Sequence, residues 1–452
     1  MPADEYETVI WRPDAVVHTA HEWSTPDWLA IRDGRIVRIG SGARPRASSV
    51  VDAYGMLVTP GLVNSHHHIF QNLARAYAPA IKGGLKQWLH RVYQLWPHVS
   101  PDDMYEAAWV GIAELLLGGC TASVDHLSLP PARDSDLGLP IMRAVAETGI
   151  RLQLVRGYMD TPSNPALRGD WETYESTIRR LLKEAEFTNA TGGFVGVAVA
   201  AATLLSTSPG ALSRIREVSE SLALRRHIHI AEAADEEHAV GLAYGTTGVA
   251  RLNELDWLGP SAWIAHGVHV SEADVQLLAS THTGVAHCPS SNMILGNGIA
   301  PVSKLREAGV AVGIGTDGSA SADHASMLLE ARMALLAGRA RHGAESIDAA
   351  GAFEMATTGS ATCVGLPYRA SVHEGSPADL VLWRMDTPQF AGAVSNPVEA
   401  LLRTAPHSAH HVWIGGRQVV SGGDLCEGDL GDHLERHRRA ALRVQSLDKP
   451  WS

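Results

Sequence analysis

Short apolar segments alternate with longer amphipathic segments between about residues 61 and 367. The short segments have the length of strands and the longer ones have the periodicity of helices, which is typical of repeated βα units in a parallel sheet. Eight such strands predict an α/β fold with a (β/α)8, TIM-like barrel. The predicted strands are Leu62–Asn64, Ala122–Asp125, Arg151–Val155, Phe194–Ala200, His227–Ile230, Ala262–Ala265, Gly284–His287 and Ala311–Gly315.

The two ends of the chain have a different pattern, with short β segments and frequent turns. Near the start, Leu29–Arg32 and Arg35–Ile39 flank an Asp-Gly pair, which is a strong hairpin signal. Near the end, Ala378–Trp383 and Val412–Val420 again have β character. We therefore expect the two ends to pair into one small β-sandwich.

These patterns divide the chain into two predicted domains. Residues 1–60 and 368–452 form the composite β-sandwich domain, and residues 61–367 form the barrel. The last segment, Leu430–Leu447, is a predicted helix rich in Arg and His. Its charge pattern is typical of a helix that faces solvent or another subunit, and we expect its histidines to lie at the surface.

Composition and charge narrow the range of partners. The formal net charge is −12, from 37 basic and 49 acidic residues. Binding of a nucleic-acid backbone requires Lys and Arg to neutralise phosphates, so this balance argues against a nucleic-acid partner and favours a small-molecule substrate. The 23 histidines of the 452-residue chain prompt a search for a metal site, because histidine is the commonest protein ligand of transition metals.

The residue composition also indicates where in the cell the protein is located. No stretch of eighteen uninterrupted apolar residues occurs, and the first residues lack both a basic and an apolar region of the kind that signal peptides have. We therefore expect no membrane association and a cytoplasmic protein. The four cysteines form no C-x-x-C pair, which argues against a disulfide framework and against a zinc finger: they are Cys120, Cys288, Cys363 and Cys426.

Three consecutive histidines follow the first predicted barrel strand. In an extended segment, residues two apart point to the same side, so His66 and His68 would both point into the mouth of the barrel while His67 points away. This is a spacing that suits metal ligands. An accidental basic surface turn is the alternative interpretation of the triplet.

The fifth predicted strand ends in a second group of this kind. His229 would bring a third imidazole to the metal, and Glu232 lies just beyond the strand, where a carboxyl group could shuttle a proton for metal-bound water. His227 points inward one layer deeper, and we interpret it as a packed, hydrogen-bonded histidine.

Two further polar residues stand at the ends of strands six and eight. His266 and Asp317 are weak signals when each is taken alone, since a lone histidine is often structural and Asp-Gly is often only a turn. Their position gives them weight, because the catalytic groups of a barrel lie at the C-terminal ends of its strands.

These motifs together resemble the amidohydrolase superfamily over nearly the whole chain. Within it, the chain is similar to the cytosine/guanine-deaminase-like branch, which includes 8-oxoguanine deaminases and hydroxytriazine and pterin aminohydrolases. The residues that carry the resemblance are Thr59 to His68, His229 with Glu232, His266, His287 to Asn292, Asp317 to Ser321 and, for the branch, Phe70 to Leu73, Trp88 to Trp96 and Gly298 to Val302.

The resemblance implies one divalent metal per chain, zinc above all and iron as the alternative. Its ligands would be His66, His68, His229 and Asp317. Imidazole and carboxylate ligands suit zinc and leave a position for water. Relatives that bind two metals use a carboxylated lysine on the fourth strand, and residues 191–206 contain no lysine.

The resemblance also implies a reaction, the hydrolytic deamination of a small N-heterocycle such as 8-oxoguanine, another purine or a pterin. Glu232 would carry a proton from water to a ring nitrogen, His266 would orient the attacking water, and Asp317 would pass the second proton toward ammonia. Gln71 and Trp88 are candidate contacts for a flat ring. Relatives in this family commonly form homodimers or larger homo-oligomers.

The chain departs from its family at positions that affect specificity. Ala201 and Ala202 stand where relatives place a Cys-x-Pro or similar polar corner, and Ala322 replaces a residue with an amide side chain. We therefore keep a second enzymatic hypothesis with the same site and another leaving group: an alkylamine or halide from a triazine, or sulfide from a thioxo ring. A third hypothesis is a catalytically inactive metal-binding or sensor protein, which the intact Glu232 and Asp317 argue against.

Overall fold

The structure, a computed structural model, describes residues 6–130, 136–405 and 407–447. The predicted hairpin is present as β4 and β5, and its turn residues Asp33 and Gly34 both have positive φ angles, 50° and 71°, as a tight hairpin turn requires. Strands β5, β4, β1 and β6 pair in that order into a four-stranded sheet. The first strands are β1 (Tyr6–Trp11), β2 (Ala15–Thr19), β3 (Glu22–Ser24), β4 (Trp28–Arg32), β5 (Arg35–Gly40), β6 (Ala47–Asp52) and β7 (Met56–Pro60).

The middle of the chain forms a parallel sheet in which eight strands of the described residues follow one another in sequence order. Each predicted barrel strand is present, so the structure confirms the TIM-like barrel. The sheet runs from β8 through β10 to β16, and short β9 pairs with short β17. These strands are β8 (Leu62–Asn64), β9 (His67–His68), β10 (Cys120–Leu127), β11 (Arg151–Tyr158), β12 (Phe194–Ala201), β13 (Arg226–Ile230), β14 (Ala262–His266), β15 (Gly284–His287), β16 (Val312–Ile314) and β17 (Asp317–Gly318).

The barrel closes between its first and last strands at their C-terminal ends. The Ser65 backbone N–H donates to the Ile314 carbonyl at 2.9 Å, and β17 pairs with β9 so that Asp317 lies opposite His67. Closure at this end places the histidine triplet and the Asp-Gly segment side by side.

Helices cover the outside of the barrel. Helix α2 begins with a capping box, in which Ser100 accepts from the Asp103 backbone N–H and Asp103 accepts from that of Ser100, and Pro101 takes the first helical position. The helices up to the end of the barrel are α1 (Leu85–Val92), α2 (Pro101–Leu117), α3 (Gly138–Thr148), α4 (Trp171–Ala190), α5 (Pro209–Ser221), α6 (Ala234–Tyr244), α7 (Gly248–Glu254), α8 (Glu272–Ser280), α9 (Pro289–Ile294), α10 (Val302–Glu307), α11 (Ser319–Ala322), α12 (Met327–His342), α13 (Ala349–Glu354) and α14 (Ser360–Cys363).

Short helical turns of other types link these elements. One of them, the 3-10 helix Ile69–Ala74, follows β9 directly and carries Gln71. The remaining turns are the 3-10 helices Ala78–Ala80, Trp96–His98, Pro165–Leu167 and Pro388–Phe390, and the π-helix Met355–Gly359.

The C-terminal strands return to the N-terminal ones. Strand β18 pairs antiparallel with β7, and the resulting seven-stranded sheet has the order β21-β20-β19-β18-β7-β2-β3. The sequence could predict the β character of both ends, and the structure confirms that they meet. The remaining elements are β18 (Leu380–Arg384), α15 (Pro397–Arg403), β19 (His411–Ile414), β20 (Arg417–Ser421), β21 (Asp424–Leu425) and α16 (Leu430–Gln445).

An apolar layer joins the two terminal sheets into the predicted sandwich. Ile10 and Leu29 of the four-stranded sheet pack in one buried cluster with Val58, Leu380 and Trp413 of the seven-stranded sheet. Side chains that alternate along each strand supply this layer, as two packed sheets require. Among the described residues, no helix has both the length and the apolar character to cross a membrane.

Helix α16 corrects one of our expectations. We predicted a solvated or subunit-facing helix with surface histidines, but one face of α16 packs on α2 within the same chain. His433 is buried and stacks on Trp109 with ring centroids 3.6 Å apart, and both His433 Nδ1 (2.8 Å) and Arg436 Nε (2.7 Å) contact the Glu106 carboxylate. The Arg and His that suggested a solvated surface are in part the residues that anchor the helix.

Candidate active site

A cavity of about 940 Å³ opens at the C-terminal ends of the barrel strands. Polar residues from the strand ends lie at one side of it, and helix α1 with the residues after β11 and β12 forms the other walls. The predicted site residues that line it are His68, Gln71, Trp88, His229, Glu232, His266 and Asp317. The departure at Ala202 also lies on this wall, at the end of β12.

Barrel closure brings the first two predicted metal ligands to Asp317. The Nε2 atoms of His66 and His68 lie 3.4 Å and 3.5 Å from Asp317 Oδ1. All three side chains are buried, and His66 Nε2 makes no hydrogen bond among the described residues. A buried nitrogen lone pair beside a carboxylate is the arrangement that a cation would satisfy.

His229 adds a third nitrogen to this group. The tautomers of His68 and His229 show that the two rings can bind one metal ion. His68 Nδ1 is 2.7 Å from the His126 carbonyl and His229 Nδ1 is 2.7 Å from the Ala202 carbonyl, so each ring carries its proton on Nδ1. Their Nε2 atoms are therefore both acceptors, yet they lie 3.1 Å apart. Two ligand nitrogens about 2.0–2.1 Å from one tetrahedral zinc are separated by roughly 3.3 Å. The residues thus fit a metal ion of this size.

Sequence analysis missed one member of this group. Nitrogen atoms of His66, His68, His126 and His229 all lie within 4.8 Å of one another. We ended the second barrel strand at Asp125, whereas β10 continues to Leu127 and holds His126 in the interior. Gly157 on β11 leaves room for this ring, since a Cβ there would lie 2.5 Å from His126 Nε2. The sequence signal for His126 was its position, one residue beyond the predicted end of a barrel strand.

Glu232 is held at the edge of this group by two polar contacts. Asn297 Nδ2 donates to Glu232 Oε1 at 3.2 Å, and the Glu232 backbone N–H donates to Glu236 Oε2 at 3.1 Å. Burial, together with the negative charge of Asp317, raises the pKa of the Glu232 carboxyl well above its usual range. A carboxyl group with a raised pKa can both accept and deliver a proton near neutral pH.

His266 faces Glu232 across the end of β14. Its Nε2 lies 3.5 Å from Glu232 Oε2, and its Nδ1 is 2.9 Å from Asn292 Oδ1. His266 and Asp317 have positive φ angles, 73° and 54°, which non-glycine residues rarely adopt. Such backbone strain at two strand ends of one barrel is typical of functional sites, where the surrounding structure holds side chains in place.

Two serines hold the Asp317 carboxylate. Ser291 Oγ donates to Asp317 Oδ2 at 2.6 Å, and Ser321 Oγ lies 3.3 Å from the same oxygen. Oδ1 remains directed toward His66 and His68. The two oxygens of Asp317 therefore have separate environments, one that fits a metal and one held by hydroxyl groups.

The two candidate substrate contacts, Gln71 and Trp88, both lie on the cavity wall. Gln71 Oε1 is buried and has no hydrogen-bond partner among the described residues, which leaves an amide oxygen for a ligand to satisfy. Trp88 donates its indole N–H to the Ala320 carbonyl at 3.0 Å, so its ring has a fixed orientation. Their role in substrate binding stays a prediction.

Comparison with known proteins identifies the family. Residues 57–419 match the profile of the amidohydrolase family. The chain belongs to this family. It is 37% identical over 445 residues to 8-oxoguanine deaminase from Pseudomonas aeruginosa, covering 95% of this chain and 97% of that protein. It is 32% identical over 448 residues to isoxanthopterin deaminase from an unknown prokaryotic organism, covering 92% of each chain.

Solved structures agree with the fold. Atrazine chlorohydrolase from Arthrobacter aurescens TC1, complexed with zinc, superposes with a TM-score of 0.89 at 24% identity, over 96% of this chain and 100% of that one. The amidohydrolase family membership confirms the resemblance seen in the sequence. The chain is therefore a hydrolase of this family, and the two relatives named above are deaminases.

Proposed function

We propose that this amidohydrolase is a mononuclear, metal-dependent aminohydrolase that releases ammonia from a small N-heterocycle. The substrates we favour are 8-oxoguanine, another purine or a pterin, since two relatives that cover almost the whole chain carry the names 8-oxoguanine deaminase and isoxanthopterin deaminase. One observation carries the proposal. The Nε2 atoms of His68 and His229 face each other as acceptors with no proton between them, and the Asp317 carboxylate lies beside His66. The Glu232 carboxyl group, whose pKa is raised, lies on the same side of the cavity.

One metal would be held by His66, His68, His229 and Asp317. Zinc is the ion we favour, and iron(II) is the alternative, because imidazole with carboxylate suits both and a structural neighbour is complexed with zinc. When bound, the ion supplies a Lewis acid that makes water a nucleophile near neutral pH. Strand β12 contains no lysine that could bridge a second ion, which supports a single metal per chain.

The side chains around the metal would then move protons. Glu232 takes a proton from the attacking water and delivers it to a ring nitrogen of the substrate, which makes the neighbouring carbon a better electrophile. Asp317 passes the second proton toward the departing ammonia. His266 orients the water and stabilises the charge that develops during attack. Gln71 and Trp88 would position the ring, one through its amide and one through its aromatic face.

An ammonia-release screen of the metal-replete protein tests this function. Purines, pyrimidines, pterins and amino-substituted triazines would be supplied in turn, with the metal content of the same sample determined in parallel. We expect turnover of at least one purine or pterin with about one metal per chain. No ammonia from any amino-substituted ring, with metal bound, would refute the proposed reaction.

A second reaction at the same site has some structural support. Apolar side chains make up much of the wall away from the metal group, among them Leu89, Met159, Leu205 and Leu295. This wall, and the small Ala202 beside it, would accept an alkyl or chloro substituent on a triazine. Release of an alkylamine, halide or sulfide without ammonia would select this alternative leaving group over deamination.

The state of the protein in the cell is also part of the proposal. We propose a homodimer or higher homo-oligomer in the cytoplasm that acts on a small molecule and binds neither nucleic acid nor membranes. The free cysteines support a reducing compartment, and the negative net charge argues against binding of nucleic acid. Light scattering of the purified protein measures the oligomer directly.

A further inference from the structure

His227 lies one layer below the proposed metal group and contacts it directly. Its Nε2 is 2.9 Å from His66 Nδ1, and its Nδ1 is 2.9 Å from the Trp263 backbone carbonyl. Both histidines are fully buried, with no exposed surface. His227 was expected to be a packed, hydrogen-bonded residue, and these contacts show what it is bonded to.

The hydrogen bonds determine where each proton lies. A carbonyl oxygen accepts only, so His227 must carry its proton on Nδ1 and present a lone pair at Nε2. The facing atom, His66 Nδ1, must then be the donor. With its proton on Nδ1, His66 presents a lone pair at Nε2, the atom that lies 3.4 Å from Asp317 Oδ1. A backbone carbonyl of β14 thus sets the tautomer of His66 through a second imidazole.

Trp263 holds this arrangement in place. Its ring stacks on His227 with centroids 4.5 Å apart and planes 18° from parallel, and its indole N–H donates to the Ser65 carbonyl at 3.2 Å. Ser65 directly precedes His66, so Trp263, which accepts from His227 through its carbonyl, also bonds to the segment that carries His66. The stacking on Trp263 and the hydrogen bond to its carbonyl both oppose rotation of the His227 ring away from His66.

We propose that His227 is a positioning residue that fixes His66 in its metal-binding tautomer. This inference rests on the metal centre of the proposed function. Without an acceptor at this position, His66 Nδ1–H would be a buried donor with no partner, and the ring would be free to move its proton to Nε2. Protonated Nε2 cannot bind a metal. Partners of this kind typically change metal affinity by about 10–100-fold when they are removed.

Two substitutions separate positioning from packing. His227→Gln keeps an amide oxygen that can accept from His66 and an amide N–H that can donate to Trp263, whereas His227→Leu fills the space without either. We expect metal affinity within a few-fold of the original for His227→Gln and a loss of about 10–100-fold for His227→Leu. Metal affinity is measured by competition with a chromophoric chelator, so no turnover is needed.

A matched control loses a buried histidine elsewhere. His18 in the sandwich is hydrogen-bonded at both ring nitrogens, to the Val372 carbonyl and Ser24 Oγ, each at 2.7 Å. His18→Leu should lower the melting temperature and leave metal affinity unchanged. Equal metal affinity for His227→Gln and His227→Leu would overturn the inference.

Nitrogen NMR gives a second measurement that needs no folded variant of His227. In the metal-free protein labelled with ¹⁵N-histidine, His66 should appear as the Nδ1–H tautomer, assigned by its absence from a His66→Ala sample. A proton on His66 Nε2 would overturn the inference. Failure of the unsubstituted protein to bind any divalent metal would instead refute the proposed function, so the two failures are distinguishable.

Discussion

Single side chains set the chemistry of this cavity, and Glu232 shows how. Its Oε1 accepts from Asn297 and its Oε2 lies 3.5 Å from His266 Nε2, so the carboxyl group is fixed between the metal group and the open cavity. Its raised pKa follows from burial and from the nearby Asp317. The residue is therefore placed to handle protons beside the imidazoles that would bind the metal.

Replacement of Glu232 separates these two tasks. Glu232→Gln keeps the shape and the contact with Asn297, but an amide cannot carry a proton. We expect unchanged metal content and a loss of turnover of about 10²–10⁴-fold. Metal analysis and an ammonia assay on one preparation measure both. Glu237→Gln, one residue beyond Glu236 on α6 and outside the cavity lining, should retain turnover; loss of metal from Glu232→Gln would mean that Glu232 is a ligand.

Gly318 offers a test of Gln71 that leaves Gln71 itself in place. A Cβ at residue 318 would lie 1.8 Å from Gln71 Oε1, so Gly318→Ala must displace that amide. We expect metal content to be retained and kcat/KM to fall by about tenfold or more, since small misplacements of positioning groups are costly. Gly241→Ala on α6 is the control, because nothing lies within 4 Å of the added methyl group. Equal kinetics for the two variants would remove Gln71 from the substrate site.

At the residue scale, the placement of side chains could be predicted from the sequence at strand ends, and contacts between elements far apart in the chain could not. The triplet, His229 and Asp317 could be placed because strand periodicity and barrel topology together determine where they point. His126 was not predicted because β10 ends two residues later than the predicted strand. The burial of His433 was not predicted because its partners, Trp109 and Glu106, lie more than three hundred residues away in sequence.

At the scale of elements, α16 supports the site from outside. Besides its contacts with α2, it reaches the 3-10 helix that follows β9: His437 Nε2 lies 3.0 Å from Asn72 Oδ1, and Gln445 Nε2 donates to the Leu73 carbonyl at 2.8 Å. This is the turn that carries Gln71. Helix periodicity could predict that α16 exists and not which surface it covers, because an Arg-rich and His-rich face can pair with carboxylates as well as with water.

The Glu106 carboxylate is the main polar anchor of α16. Glu106→Ala leaves His433 without its acceptor, and we expect the free energy of unfolding to fall by about 2–3 kcal/mol. Glu435→Ala on the exposed side of α16 removes contacts with Arg438 and Arg439, 3.9 Å and 3.3 Å away, and should cost no more than about 0.5 kcal/mol. Urea denaturation compares the two variants. Equal losses would show that the helix is held by apolar packing alone.

At the scale of the whole molecule, buried carboxyl groups should make stability depend on pH. Burial raises the pKa of Glu330 to about 8, with the charge of Asp317 adding to the effect. Glu330 is fully buried on α12, and its Oε2 accepts from the Ser290 backbone N–H at 3.2 Å. The folded protein therefore keeps this proton at pH values where the unfolded chain, with a pKa near 4.5, has lost it.

The sign of this dependence follows from proton binding. Between about pH 4.5 and pH 8 the folded state binds more protons at Glu330 than the unfolded state, so the free energy of unfolding falls as pH rises. Glu330→Gln removes the titration while keeping the volume. We expect its melting temperature to decline less steeply than that of the original protein from pH 5 to pH 8. Parallel curves for the two proteins would contradict a protonated Glu330.

The contact between α16 and the 3-10 helix after β9 also has a consequence for the order in which the enzyme is made. Every barrel strand precedes α16 in the chain, so the ribosome has synthesised all the proposed metal ligands before the helix that contacts residues 69–74 emerges. Strand β18, which pairs with β7, is also synthesised after the barrel strands. A nascent chain that ends after the barrel thus contains the proposed catalytic side chains and lacks the contacts that α16 makes with the 3-10 helix that carries Gln71.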